Sequence, residues 1–563
     1  MADDDFSITE DAGVAAEVVR LDERRRKRAT AGGGGKGGKP ERKSDAPRSA
    51  GRDSPREAAV EAMLEAGAIF WRDERGDVFA TVEQSGRIER YPVRSRDFRN
   101  LTRLVFGDAY PVQVPGRPDR PGSLPDQALN EVVASFEALG LRAPVRSPRP
   151  RVCRDGEGAI WIDLAGADWS LVKVTGDGWG LVAAADVPLI RPSGLMPLPA
   201  PERIDAAAGL AQLAGLLNLR PGKDGAPSAD LMLVVAWLIG CLHPVGPCPI
   251  LSLDGEQGSG KSTTARMLRR LVDANAAENR AAPREERDLL LAARNSRVLS
   301  LDNLSSLSAE MADSLCRIST GGGFGERALF TNNEENVIFV QNPILLNGIN
   351  SLLSRGDLAD RAISINLPEI PDDKRKPEEQ IWSEFEAARP GLLGLLLDGL
   401  SCALRRLPGL QLERSPRMAD FAKLAVAAAP AFGWGASEML AALEANRAAA
   451  SVGVVEDDGV AAAVQALVEE QGRWTGTATE LLAVVNEKTP LARQRQRGWP
   501  TDGTRLGHKL RRVAPALRRV GVEVVLPTSA GRGGRVYTLE RRAPPPPAGA
   551  QSPQPAAPWE GEL

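Results

Sequence analysis

Gly255-Glu256-Gln257-Gly258-Ser259-Gly260-Lys261-Ser262-Thr263 stands between two segments of opposite character. Before it, Pro249-Ile250-Leu251-Ser252-Leu253 is a short apolar run that reads as a buried strand. After it, Thr264 to Val272 reads as a helix with Met267, Leu268, Leu271 and Val272 on one face. A strand, a glycine-rich turn closing on Gly-Lys-Ser-Thr and a helix make a complete Walker A pattern. The glycines let backbone N–H groups curl around a phosphate chain, helped by the positive end of the helix. Lys261 is then expected to reach the β- and γ-phosphates of ATP and Ser262 to hold Mg²⁺. All nine residues from Gly255 to Thr263 count as nucleotide-binding.

The rest of such a site follows downstream. Arg297-Val298-Leu299-Ser300-Leu301-Asp302-Asn303 is a short apolar strand ending in a carboxylate, the form of a Walker B motif. Asp302 is expected beside the Mg²⁺, holding it through water. Pro343-Ile344-Leu345-Leu346-Asn347-Gly348 is a third apolar strand, and its Asn347 is placed to orient an attacking water. Position 303 departs from the common pattern of two carboxylates, because an Asn cannot accept the proton. Positioning and charge stabilisation supply most of phosphoryl-transfer catalysis, so hydrolysis remains open, with Asp302 or Glu256 assisting.

At 563 residues the chain is too long for one ordinary domain. A hydrophobic content of 42% with 26% charged residues fits a water-soluble globular protein. The net charge of −3 says nothing about partners; its distribution does. Five scattered cysteines and two histidines give no metal-ligand spacing and read as buried thiols in a reducing compartment. The acidic start Met1-Ala2-Asp3-Asp4-Asp5 is no secretory signal. The longest apolar stretch, Leu231 to Leu242, is too short to span a bilayer and reads as a core helix. A cytoplasmic protein without a membrane segment is expected.

Residues 1–55, with Arg24-Arg25-Arg26-Lys27-Arg28 and a glycine run, have little to bury and are expected to be a disordered basic tail. Residues 56–200 read as an α+β accessory domain. Its strands are Phe79–Val82, Ala159–Leu164 and Ser170–Val174, with a hairpin turn at Thr175-Gly176-Asp177-Gly178 and a helix near Leu129–Leu139. The basic run Arg94 to Arg99 reads as a solvated face. The ATPase core is assigned to 201–450; its helical last part carries Met418, Phe421, Leu424 and Ala425 at helical spacing. Residues 458–541 form a small unit of three helices and a hairpin, the order of a winged helix, and 542–563 a Pro-rich disordered tail.

Between the second and third strands lies Arg317-Ile318-Ser319-Thr320-Gly321-Gly322-Gly323-Phe324-Gly325-Glu326-Arg327. With this segment in place the chain resembles the superfamily 3 helicases of viruses and phages, and the related ATPase modules fused to phage or plasmid primases. The likeness covers residues 250–370, with a weaker match in the winged helix, and does not reach 56–200. It implies an AAA+-like P-loop core with Lys261, Asp302, Asn347 and Arg361 as catalytic residues. Arg327 would lie in a DNA-contacting hairpin. Arg361 would be an arginine finger serving a neighbouring subunit's ATP in a ring, with Arg355 as the other candidate. The plain alternative for both arginines is a surface ion pair with Asp357 or Asp360.

The C-terminal unit carries the charge. From 491 to 541 there are twelve arginines and lysines against three acidic residues. Arg505, Lys509 and Arg512 recur at helical spacing, and Arg532 and Arg535 sit at the hairpin, as in a helix that enters a DNA groove beside a wing. His508 on the same helix reads as a surface residue.

The fold class expected is therefore multidomain α/β: a P-loop core, an N-terminal α+β domain and a C-terminal winged helix. The leading functional expectation is an ATP-dependent DNA motor of helicase type, replicating a phage, plasmid or integrated element. The alternative is a nucleotide-gated DNA-binding regulator or initiator with little unwinding. A small-molecule kinase would leave the segments around Arg327 and Asn347 without a role.

Overall fold

The structure, a computed structural model, describes residues 54–222, 227–304, 306–327, 335–348, 352–353, 355–413, 416–495, 498–526 and 535–542. The expected terminal tails, apart from their inner edges, and Arg532 lie outside them. The chain divides into two units, one up to Arg149 with Ala183–Arg191, the other Pro150–Val182 with Pro192 onward.

In the first unit Ser54 and Glu57 form a capping box, with Pro55 preset for the first helical position, and start α1 (Pro55–Glu65). An antiparallel meander follows, β1 (Ile69–Arg72), β2 (Val78–Gln84) and β3 (Arg87–Pro92). Helices α2 (Arg96–Ala109) and α3 (Asp126–Gly140) complete it. Phe70 stacks on Phe136 with ring centroids 4.7 Å apart, Phe98 meets the same ring edge-on at 5.8 Å, and together they fix the core. The basic run is spent locally: Arg94 pairs with Glu137 and Arg99 bonds Asn130.

The second unit begins with an antiparallel sheet of β4 (Val152–Arg154), β5 (Ile160–Asp163), β6 (Leu171–Thr175) and β7 (Gly178–Val182). Thr175 faces Gly178 across the expected two-residue turn. These strands do not belong with residues 56–149 in one accessory domain, as the sequence suggested. Their inner face packs on a long core helix, where Trp179 donates to Asp398 at 2.8 Å and Ser401 to the Thr175 carbonyl at 2.8 Å.

Next come α4 (Ala206–Leu216) and α5 (Ala229–Leu242), the second buried along all of Leu231–Leu242. β8 (Ile250–Gly255) leads into α6 (Lys261–Val272), then α7 (Glu286–Arg294) and β9 (Leu299–Leu304). β9 starts two residues later than expected. The N–H groups of Arg297 and Val298 bond the Asp273 carboxylate instead of a neighbouring strand. After α8 (Ala309–Thr320), β10 (Gly322–Arg327) and β11 (Glu335–Val340) form an antiparallel pair. β12 (Ile344–Gly348), the one-turn α9 (Gly356–Ala359) and β13 (Ala362–Leu367) complete the central elements. β9, β12, β8 and β13 lie in that order in an all-parallel sheet. β8, β9 and β12 are buried on both faces and read as apolar runs, whereas the edge strand β13 alternates, with Ile363, Ile365 and Leu367 buried.

The long core helix is α10 (Glu378–Arg406), continuous through Pro390. Among the described residues it is the one helix long and apolar enough to cross a membrane, but its apolar window is 72% buried within the fold. α11 (Ala419–Ala428) and α12 (Ala436–Asp457) follow, with Phe421, Leu424 and Ala425 buried as their spacing required. The last elements are α13 (Gly459–Gln471), β14 (Arg473–Thr477), α14 (Ala478–Lys488), α15 (Gly503–Arg519), β15 (Val522–Val525) and β16 (Val536–Arg541). Their three strands form an antiparallel sheet in the order β14-β16-β15. β14 is a strand beyond the three helices and hairpin expected here, and α15 runs to Arg519. All five cysteines are buried and free.

Candidate functional site

β8 sits between β12 and β13, so the chain leaves the carboxyl edge of the parallel sheet at Gly255 with strands on both sides. Ligand crevices in open parallel sheets form at this edge. Gly255 has φ +144° and Gly260 has φ +80°, which let the loop turn back into α6. Gly260 is the N-cap of α6 and offers no side chain, so no capping bond uses the N–H groups of the first turn. Lys261 Nζ lies inside the loop and donates to the carbonyls of Gly255 (2.8 Å) and Glu256 (2.6 Å). Ser259 Oγ donates to the Glu256 carbonyl at 2.9 Å. Glu256, Gln257 and Gly258 are exposed at the tip, and Thr263 is half-buried on the first turn.

Three residues from three strands or helices meet beside the loop. Ser262 Oγ donates to Asp302 Oδ1 at 3.1 Å, and Asn347 Nδ2 donates to Ser262 Oγ at 3.3 Å. Leu301 pairs with Leu346 and Leu304 with Gly348, so β9 carries one extra residue against β12. That bulge turns Asp302 toward Ser262. Asn303 takes up the bulge with φ +54°, a backbone that Asn tolerates better than most residues. Its N–H donates to Asp302 Oδ1 (2.8 Å) and to Asn347 Oδ1 (3.2 Å). Asn at 303 thus serves the backbone geometry that aims Asp302.

Three supporting residues gave no sequence signal. Asn279 Nδ2 donates to Asp302 Oδ2 at 3.1 Å while its Oδ1 accepts from Ser300 Oγ at 2.9 Å. Asn218 Nδ2 ties the loop down through the carbonyls of Ser259 (3.1 Å) and Pro368 (2.5 Å). Asp254 precedes the loop and accepts from Ser364 Oγ at 2.8 Å. Burial pushes Asp254 above the usual carboxylate range, against the pull of Ser364, Ser252 and the nearby Lys261. Burial likewise holds Lys261 below its ordinary value, with Asp254 opposing the shift. Isolated amides far apart in sequence have no periodicity to betray them.

A groove of ≈ 550 Å³ opens from Ser262 and Asp302 toward Arg266, Arg270, Glu278 and Asn279. Glu278 accepts from both arginines, whose guanidinium groups lie 4.6 and 4.4 Å from the Trp382 ring. Ser262 and Asp302 offer hard oxygen donors of the kind Mg²⁺ takes, so they would hold such an ion.

The remaining predicted residues lie elsewhere. Arg361 immediately precedes β13, whose Ala362 pairs with Ile250 and Leu367 with Gly255. It is therefore at the opposite edge of the sheet from its own loop, roughly 20 Å away at the strand rise. Its Nη1 donates to the Asp357 carbonyl at 2.9 Å. Arg355 is engaged by Asp357 and Asp313. Arg327 ends β10 on the last described rung of its pair with β11. On α15, Arg505 and Arg512 are exposed, as is Arg535 before β16, and His508 is at the surface. Lys509 turns inward instead, its Nζ 2.5 Å from Asp458 at the start of α13.

Set against known families, this is a replication protein of an integrative conjugative element. The family described as actinomycete integrative conjugative element replication protein matches residues 216–458, and its C-terminal domain matches residues 460–554. Together the two take in more than half of the chain, which belongs to that replication-protein family. Of the settings expected from sequence, the integrated element is the one the matches support. Solved structures similar to the chain include the apo NrS-1 C-terminal region, at 12% identity over 86% of this chain and 98% of that one, TM-score 0.35. JCV helicase is similar at 14% identity over 40% of this chain and 59% of that one, TM-score 0.21. No curated protein matches the chain in sequence.

Proposed function

We propose that the chain is a cytoplasmic ATP-dependent DNA motor of helicase type that replicates its element. The observation that carries this reading is the meeting of Ser262, Asp302 and Asn347 beside a glycine loop whose helix begins uncapped. In it the loop is a P-loop holding the triphosphate of ATP, with Lys261 and the first turn of α6 facing its phosphates. Mg²⁺, held by Ser262 and Asp302, would neutralise phosphate charge. Asn347 orients the water whose oxygen bonds the γ-phosphorus as the β–γ bridging oxygen leaves with ADP. Because Arg361 lies too far from its own loop, it would serve the next subunit of a ring. The helix–strand–helix–helix–strand–strand unit that ends in β16 reads as a winged helix, with Arg505, Arg512 and Arg535 toward DNA.

A second reading rests on Asn303. With no carboxylate there, turnover would be slow and ATP binding would gate DNA binding instead. The test is ATP hydrolysis with and without single- and double-stranded DNA, using Lys261→Ala as control. DNA-stimulated turnover lost in the variant supports the motor. ATP-dependent DNA binding without turnover rules the motor out in favour of the gated initiator.

A further inference from the structure

Asp360 is 7% exposed, directly precedes Arg361, and is surrounded by arginines from three separate helices or loops. Arg417, before α11, donates to its Oδ2 at 2.7 Å, and Arg519 at the end of α15 grips Oδ1. Arg447 on α12 brings its Nε to 3.8 Å from Oδ1, beyond hydrogen-bond reach. That Nε is buried and has no hydrogen-bond acceptor among the described residues. Arg519 also donates to Ser451 Oγ at 3.0 Å, which fixes its guanidinium in place. A small cavity of ≈ 130 Å³ opens here, lined by Asp360, Arg417, Arg519 and Arg512. The neighbouring carboxylate, Asp357, is already held by both arms of Arg355.

The charges do not balance. Arg417, Arg512 and Arg519 line the cavity, and Asp360 is the one lining carboxylate not already held by Arg355, so two positive charges remain around a partly enclosed polar cavity. Like charges at this spacing repel, and burial adds its own cost. Beside the cavity, burial together with Arg519 and Arg417 holds the Arg447 guanidinium below its ordinary value, against the opposing pull of Asp360 and Glu444. An anion taken into the cavity would relieve such an excess. Guanidinium forks converging from several directions fit the tetrahedral oxygens of phosphate, which accept several charge-assisted hydrogen bonds at once.

We infer that the cavity between Asp360, Arg417, Arg512 and Arg519 binds a phosphate group, independently of the glycine loop. That phosphate comes either from a nucleic-acid backbone or from the free ion. Arg512, exposed on the same helix face, continues the site outward, the direction from which a DNA strand would approach.

The test uses the full chain carrying Lys261→Ala, so that the glycine loop does not report. Inorganic phosphate is titrated by calorimetry and by thermal melting. The variant is expected to bind phosphate and to melt higher with it. Adding Arg512→Gln or Arg417→Gln should weaken that binding at least tenfold. Arg512 is exposed, and the loss of Arg417 leaves Asp360 paired with Arg519, so both variants keep the fold. No phosphate binding in the Lys261→Ala chain overturns the inference. So does binding that both double variants retain undiminished. The source is read from duplex binding against salt: a DNA phosphate predicts that Arg417→Gln lowers the slope of log K by about 1 and that inorganic phosphate competes. A free-ion site predicts an unchanged slope with the phosphate-dependent melting intact.

Discussion

Replacing Gly255 by Ala is the sharpest test of the loop geometry. At φ +144° a side chain is strained by about 1–3 kcal/mol. The added Cβ would also sit 2.6 Å from the Leu367 carbonyl and 2.9 Å from Ser259 Oγ. Leu367 is the rung partner of Gly255 on β13, so the carbonyl can retreat only by loosening that pairing, which costs about 1 kcal/mol more. The total of about 2–4 kcal/mol must appear as lost stability, lost ATP affinity, or a division of the two. If it falls wholly on affinity, Kd rises roughly thirty- to several-hundred-fold. Gly260→Ala is the internal comparison. Its Cβ meets only Ile370 Cδ1 at 3.3 Å, so the left-handed backbone alone costs about 1 kcal/mol. Calorimetric titration with Mg-ATP and urea melts of both variants give the two parts. A combined loss for Gly255→Ala no larger than that for Gly260→Ala refutes the reasoning.

Asn218→Ala frees the Ser259 and Pro368 carbonyls and should weaken ATP binding about tenfold with little change in the urea midpoint; unchanged affinity would show that the clamp is idle. If Arg361 serves a neighbour, Lys261→Ala and Arg361→Ala chains are each inactive alone. Mixed in equal amounts they should recover about a quarter of wild-type ATPase, since that share of heterologous interfaces pairs two intact partners; no recovery sinks the arrangement. His243 is held down at about 4, mainly by burial, aided by Arg297 and Arg154, although its Nδ1–H donates to Val245. Between its ordinary 6.5 and about 4, the unfolded chain takes up a proton that the folded chain refuses, so stability falls as pH falls through that window. A loss on the order of 1–2 kcal/mol from pH 7 to pH 5 is expected in urea melts, and His243→Gln should abolish that share of it.

The loop, the strands around Asp302 and Asn347, and the buried helix Leu231–Leu242 could be read from sequence because each is a contiguous pattern with a physical cause. α10 was hidden because Pro390 and several glycines interrupt its period, although tertiary packing carries the helix through them. β14 was hidden because Arg473–Thr477 is short and mostly polar, held by pairing with β16 rather than by an apolar face. The inward turn of Lys509 depends on where Asp458 sits, which helical spacing alone does not tell. Asn303 is the clearest case. By type it looked like a missing carboxylate; only the pairing register shows that a bulge needs its backbone.

The grip of Lys261 on two loop carbonyls sets what the resting protein can hold. Its ammonium is already solvated by its own chain, so occupancy is an exchange of partners rather than capture by a bare charge. A lone phosphate offers too little to displace both carbonyls, whereas a triphosphate can reach the ammonium and the open turn of α6 together. Comparing the affinities of inorganic phosphate and triphosphate measures that selectivity.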